Sequence, residues 1–163
     1  MLFVVMLGGK HPAAKIEVHD VVFAFGQTLS DCYAQLRQQW FGAAKSLHID
    51  SWWQVQGVDG FQLHFSDVAP KAGDPRLYFI NLGGYLPGSF GEDHQYLLVV
   101  AQNPAEAKQR GKQLIPRHWD KPHTDNLYDV DDCIAIDAVA GRYVQLVPGD
   151  YPPTQQGNDY ILL

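Results

Sequence analysis

The chain has 163 residues, a formal charge of −6, 46% hydrophobic and 12% aromatic residues. That length fits one medium domain or two small ones, and the apolar content is that of a chain that folds. The acidic balance, with no run of Lys or Arg, leaves no electrostatic footprint for nucleic acid, and no apolar stretch reaches the roughly 18 residues that span a bilayer.

Leu2–Leu7 is a short apolar run closed by Gly8-Gly9, the pattern of a fully buried strand. No basic segment precedes it, and the glycines come too early for a signal peptide. A loop follows, then Glu17–Phe25, whose apolar end (Val21 to Phe25) suits a central strand covered on both faces. Thr28 or Ser30 can cap the next element, a helix on which Tyr33, Leu36, Trp40 and Phe41 recur at helical spacing. His48 to Ser51 leads into a hairpin, Trp52–Val58, turning at Asp59-Gly60 into Phe61–Phe65. The order is β-β-α-β-β.

The same order then recurs. Leu77 to Gly84 repeats the Leu2 to Gly9 pattern 75 positions later (77 − 2), and at that offset Glu17, His19, His48 and Asp50 fall on Glu92, His94, His123 and Asp125. Strand His94–Ala101 and a helix from Pro104 to about Ile115, capped by Asn103, follow. A longer hairpin closes the copy, Cys133–Val139 turning at Ala140-Gly141 into Arg142–Val147. The pattern predicts an α+β fold, a tandem duplication of a β-β-α-β-β unit on a mixed, β-grasp-like sheet, with the two copies packed together. Repeat one spans 1–68, a linker 69–75, repeat two 76–148 and a tail 149–163, whose closing Tyr160 to Leu163 is apolar enough to dock. Cys32 and Cys133 do not occupy equivalent positions and read as two buried free thiols of a cytoplasmic protein.

Leu7-Gly8-Gly9, Pro12, Glu17-Val18-His19-Asp20 and Phe23, with Leu82-Gly83-Gly84, Pro87-Gly88 and Glu92-Asp93-His94-Gln95 in the second copy, resemble the bacterial DUF1543 family, a domain of unknown function. The resemblance implies two tandem copies of that domain and carries no activity with it.

Chemistry gathers on the recurring Glu-x-His. Residues two apart on a strand share a face, so Glu17/His19 and Glu92/His94 are each set side by side. A carboxylate beside an imidazole can orient its tautomer or bind a metal, although zinc usually needs at least three protein ligands. The favoured alternative is structural: each pair ties the Gly-Gly loop to its strand. His48/Asp50 and His123/Asp125 read as rim residues with an Asx-type turn, and gain interest only if they face Glu17/His19 or Glu92/His94. Gly8, Gly9, Gly83 and Gly84 read as tight turns with positive φ, since no helix follows to make a phosphate loop. Asp129-Val130-Asp131-Asp132 lacks the Gly and terminal Glu of a calcium loop and reads as a solvated turn. No nucleophile elbow or Cys-His pairing stands out.

These features predict a non-catalytic binding or protein-interaction module, with no cofactor, whose partner is a small molecule or protein, or a second copy joined through sheet edges. The alternative is a metal-binding protein or small hydrolase built on the Glu-x-His pairs.

Overall fold

The computed structural model describes residues 1–114 and 130–163. The fold is α+β, mostly strands with two short helices, and the chain divides into two compact units. Unit 1 comprises Met1–Val68 and Ala138–Leu163; unit 2 comprises Ala69–Asp137. In chain order, unit 1 supplies β1 (Leu2–Gly9), β2 (Val18–Phe25), α1 (Tyr33–Gln39), β3 (His48–Val55), β4 (Gly57–Val58) and β5 (Phe61–Ser66). Unit 2 supplies β6 (Arg76–Gly84), β7 (Asp93–Ala101), α2 (Pro104–Gln113) and β8 (Val130–Ala135). The chain returns to unit 1 with β9 (Ala138–Val139), β10 (Arg142–Pro148), β11 (Gln155–Gly157) and β12 (Ile161–Leu162). Among the described residues no helix is long and apolar enough to cross a membrane.

In unit 1, one sheet runs β11-β3-β1-β2, with β12 also on β3, and a second runs β4-β5-β10-β9. The continuous apolar run of β1 makes it the central strand. Phe3, Val5 and Leu7 point into a core with Val22, Ala24, Cys32, Leu36, Leu47 and Ile49. Leu2 and Val4, on the opposite face, are buried as well. Unit 2 repeats the central part of this pattern in a three-stranded sheet, β7-β6-β8. Its core is Tyr78, Ile80, Leu82, Val99, Ala101, Ala107 and Val130. Asn103 caps α2, its side chain accepting from the Glu106 N–H at 3.0 Å.

Three expectations change. Glu17–Phe25 is an edge strand beginning at Val18, because His19 and Asp20 cannot be covered and only its last residues reach the core. Its outer backbone is blunted by α1: Gln35 Nε2 donates to the Phe25 carbonyl at 2.7 Å, Gln35 Oε1 accepts from Phe25 N–H at 3.0 Å, and Gln39 donates to the Phe23 carbonyl at 3.0 Å. The sheets are not mixed among the described residues. All their pairings are antiparallel, because the crossover through α1 carries β3 to the far side of β1 from β2.

The third concerns Cys133–Val139, which is not one hairpin strand. Residues Val130–Ala135 pair with β6 in unit 2, whereas Ala138–Val139 pair with β10 in unit 1. The turns themselves are as expected. Asp59 and Gly60 have φ of 54° and 83°, Ala140 and Gly141 of 50° and 78°, the left-handed pairs of a type I′ hairpin. Each turn leads into a strand, β5 or β10, and these two pair with each other from Phe61↔Pro148 to Ser66↔Tyr143. Thus residues 138–148, grouped by sequence with the second repeat, complete a sheet of unit 1. Tyr160 to Leu163 docks as anticipated, with Ile161 opposite Ile49 and Leu162 opposite His48.

Candidate functional site

The site of unit 1 is a row across three strands. His19 of β2, Gly8 of β1 and His48 of β3 lie opposite one another, so they share the face away from the core of Leu7 and Val5. Glu17 precedes His19 by two residues and lies beside it. Asp50 follows His48 by two and sits at a β-bulge: Leu7 pairs with Ile49 and Met6 with Ser51, leaving Asp50 as the extra residue. The bulge turns its carboxylate towards the row.

The four polar side chains converge over the glycine. His19 Nε2 lies 3.4 Å from Glu17 Oε1 and 3.2 Å from Asp50 Oδ2; His48 Nε2 lies 3.5 Å from Glu17 Oε1 and 3.3 Å from Asp50 Oδ1. Gly8 makes this possible. A Cβ there would collide with Asp50 Oδ2 and stand 2.5 Å from His48 Nε2. Gly9 faces the other way, where a Cβ would meet the Trp40 ring at 2.8 Å and the Ser46 carbonyl at 2.9 Å. The expected positive-φ turn at these glycines is therefore replaced by strand. Gly8 and Gly9 end β1, Gly83 and Gly84 end β6, and none has positive φ. Glycine is needed here for space, not for backbone conformation.

His48 is the unusual member. It is 1% exposed, while the side chains of Glu17, His19 and Asp50 are 45%, 48% and 31% exposed. Its Nδ1 lies 2.8 Å from the Ser46 carbonyl, which can only accept, so Nδ1 is the donor and Nε2 is the atom that faces the cluster. His48 Nε2 and Asp50 Oδ2 are both buried without a hydrogen-bond partner; the neighbours within ion-pair distance are not aligned to bond them. A buried polar atom without a partner costs about 1–3 kcal/mol, so two pointing at one spot mark a place for a ligand. Glu17, His48 and Asp50 each bring a donor atom within 4.8 Å of the others.

Unit 2 carries a related cluster of Glu92, His94 and Asp131, whose donor atoms also lie within 4.8 Å of one another. His94 stands opposite Gly83, where a Cβ would collide with Asp131 and come within 2.5 Å of Glu92 Oε1. Asp131 is again the extra residue of a bulge, between the pairs Leu82↔Val130 and Asn81↔Asp132. His94 Nδ1 lies 3.1 Å from Asn81 Oδ1 and 3.5 Å from Asp131 Oδ2, and its ring stacks on Tyr96 at 6.4 Å and 4°. All three members are solvent-accessible.

The structure thus joins Glu17/His19 to His48/Asp50, the encounter that raises the interest of all four. Glu17 and His19 lie within ion-pair distance of each other and of the His48 and Asp50 pair. His123 and Asp125 lie outside the described residues. Asp131, read from sequence as part of a solvated turn, is the residue that takes the Asp50 position. The signal that could have found it is the six-residue greater spacing of the second copy, since Asp131 is 81 positions from Asp50 and Gly141 is 81 from Gly60.

Residues 14–65, which hold all four members of the unit 1 site, match the family model for the Domain of Unknown Function DUF1543. That match supports assignment of this segment to the DUF1543 family. It is similar to protein Il1583 from Idiomarina loihiensis, whose crystal structure is 33% identical over 98% of this chain and 95% of that one, with a TM-score of 0.75. No curated protein matches the chain.

Proposed function

We propose that this protein is a metal-binding module and that Glu17, His48 and Asp50, with His19 beside them, hold one divalent transition-metal ion, zinc being the best fit. The observation that carries the reading is the buried His48 Nε2, without a hydrogen-bond partner and turned towards two carboxylates. One imidazole and two carboxylates supply three donors, the number zinc usually takes from protein at an open site, and His19 stands 3.2 Å from Asp50 Oδ2. Imidazole with carboxylate suits zinc better than magnesium or calcium, which prefer all-oxygen sets. The hydrogen bond from Nδ1 to Ser46 is the outer-sphere partner that metal-binding histidines generally keep. Glu17 and His19, half-exposed, leave the outer side of the ion to solvent, where a small molecule can reach it.

The unit 2 cluster supports a second, weaker site in the same reading. It has the same residue types but lacks a buried member. The repeated glycine, Glu-x-His and bulged Asp also favour descent of both copies from one β-β-α-β-β ancestor.

The test is metal analysis of untagged protein with zinc titration calorimetry. One tight equivalent, abolished by His48→Ala and retained by the Glu92→Ala/His94→Ala variant, is the expected result. Absence of tight binding of zinc, iron(II), manganese(II) or cobalt(II) overturns the proposal and returns the protein-interaction reading to first place.

A further inference from the structure

We infer that β12 is part of this metal site and that Tyr160 is its positioning residue; the inference rests on the metal reading above. Tyr160 immediately precedes β12, and the alternation of that strand carried back one residue puts it on the site face. Ile161 stands opposite Ile49 and packs on the core, as Leu163 does, so Tyr160 and Leu162 turn towards the side of His48 and Asp50. The Tyr160 ring lies over the His48 ring, centroids 4.3 Å apart and planes 34° from parallel.

This contact accounts for the burial of His48. At the end of a sheet, beside two half-exposed neighbours, an imidazole would ordinarily be wet. Tyr160 itself is 67% exposed, so its ring acts as a cover over the histidine and not as a core side chain. The His48 ring is then held at two points, by the Ser46 carbonyl at Nδ1 and by the tyrosine on its face, and its Nε2 can only point at Glu17 and Asp50. A ligand held in its binding orientation before the ion arrives loses less freedom on binding.

The cover is attached by a short element. β12 is two residues long, continued by a bond from Leu163 N–H to the Leu47 carbonyl at 3.0 Å. Just before it, Asp159 accepts from Trp52 Nε1 at 3.2 Å, and β11 pairs with the same strand, β3. So few backbone bonds open readily. An ion that requires the ordered His48 favours the docked strand, and the docked strand favours the ion, by the same factor. Zinc therefore locks residues 155–163 in place.

The experiment measures zinc affinity by chelator competition in wild type, Tyr160→Ala, Tyr160→Leu and Tyr160→Phe, with hydrogen exchange of residues 155–163 with and without zinc. About a 10-fold weaker affinity is expected for the Ala and Leu variants, the lower end for loss of an outer-sphere partner, with Phe within about 2-fold of wild type. Zinc is expected to slow exchange in residues 155–163 of wild type and much less in Tyr160→Ala. Unchanged affinity in Tyr160→Ala, a Phe variant as weak as Ala, or exchange indifferent to zinc overturns the inference while the metal site stands. Wild-type protein that binds no zinc overturns the inference, and the metal reading falls with it when iron(II), manganese(II) and cobalt(II) also fail to bind. Cobalt(II) absorption separates altered ligand geometry from partial unfolding of the Ala variant, since only the former shifts the bands of a folded, loaded protein.

Discussion

Gly8 faces His48 across the β1–β3 pair so closely that a methyl group on Gly8 would lie 2.5 Å from the His48 Nε2. Both groups that crowd this point are buried or half-buried, and neither can swing away without losing its own contacts. Gly8→Ala is therefore expected to lower stability by about 1–3 kcal/mol, in the range for overpacking, and to weaken zinc binding at least 10-fold. Urea unfolding and calorimetry on the same sample check both.

Gly83→Ala makes the contrasting case. Its Cβ would meet Asp131 and Glu92, side chains accessible to water that can rotate outwards. Gly83 is itself buried, so a loss of stability is expected, smaller than that of the Gly8 variant because the crowding side chains are the more exposed. Equal destabilisation by the two glycine variants would show that the clusters are equally rigid.

Leu36 is the fully buried residue by which α1 closes on the sheet, among Phe3, Val5 and Ile49. Truncation to Ala should cost about 2–5 kcal/mol, measured by denaturant unfolding. The same helix brings Gln35 and Gln39 to the edge of β2, so this variant should also expose that edge and aggregate sooner at high concentration, which light scattering would detect.

Cys32 sets a pH dependence of stability. Burial, and secondarily the charge of Asp31, push its thiol from the ordinary 9.0 up to about 11. Between those values the unfolded chain loses the proton while the folded one keeps it. The folded state therefore binds more protons, and stability falls as pH rises from 9.0 to about 11. Below this window the contribution is constant. Thermal melts across it should show a shallower decline in Cys32→Ala than in wild type.

The N-cap of α2 offers a local test. Asn103→Ala removes the side-chain acceptor for Glu106 N–H and should destabilise unit 2 by about 1 kcal/mol. Hydrogen exchange in residues 104–113 would report it directly.

What could be read from the sequence was local. The apolar runs of β1 and β6, the two turns with left-handed residues and the Asn103-Pro104 helix start follow from side-chain pattern and backbone sterics within a few residues. Glu17 beside His19 follows from strand alternation. The approach of His48 to that pair does not, because it depends on β3 lying across β1 from β2. The role of Asp131 needed the bulge register, since a gapless offset of 75 carries Asp50 to Asp125 while the pairing of β6 with β8 carries it to Asp131. Edge and centre were also interchanged for β2, because an apolar run reports burial and not which neighbour supplies it.

Unit 2 is an insertion in the chain of unit 1, and this orders events during synthesis. Residues 69–137 leave the ribosome as a contiguous piece and can close their sheet at once. The strands of Met1–Val68 wait for β10, β11 and β12, made after unit 2, before β3 and β5 gain their remaining partners. His48, made before residue 50 of the chain, thus acquires its cover only with residue 160.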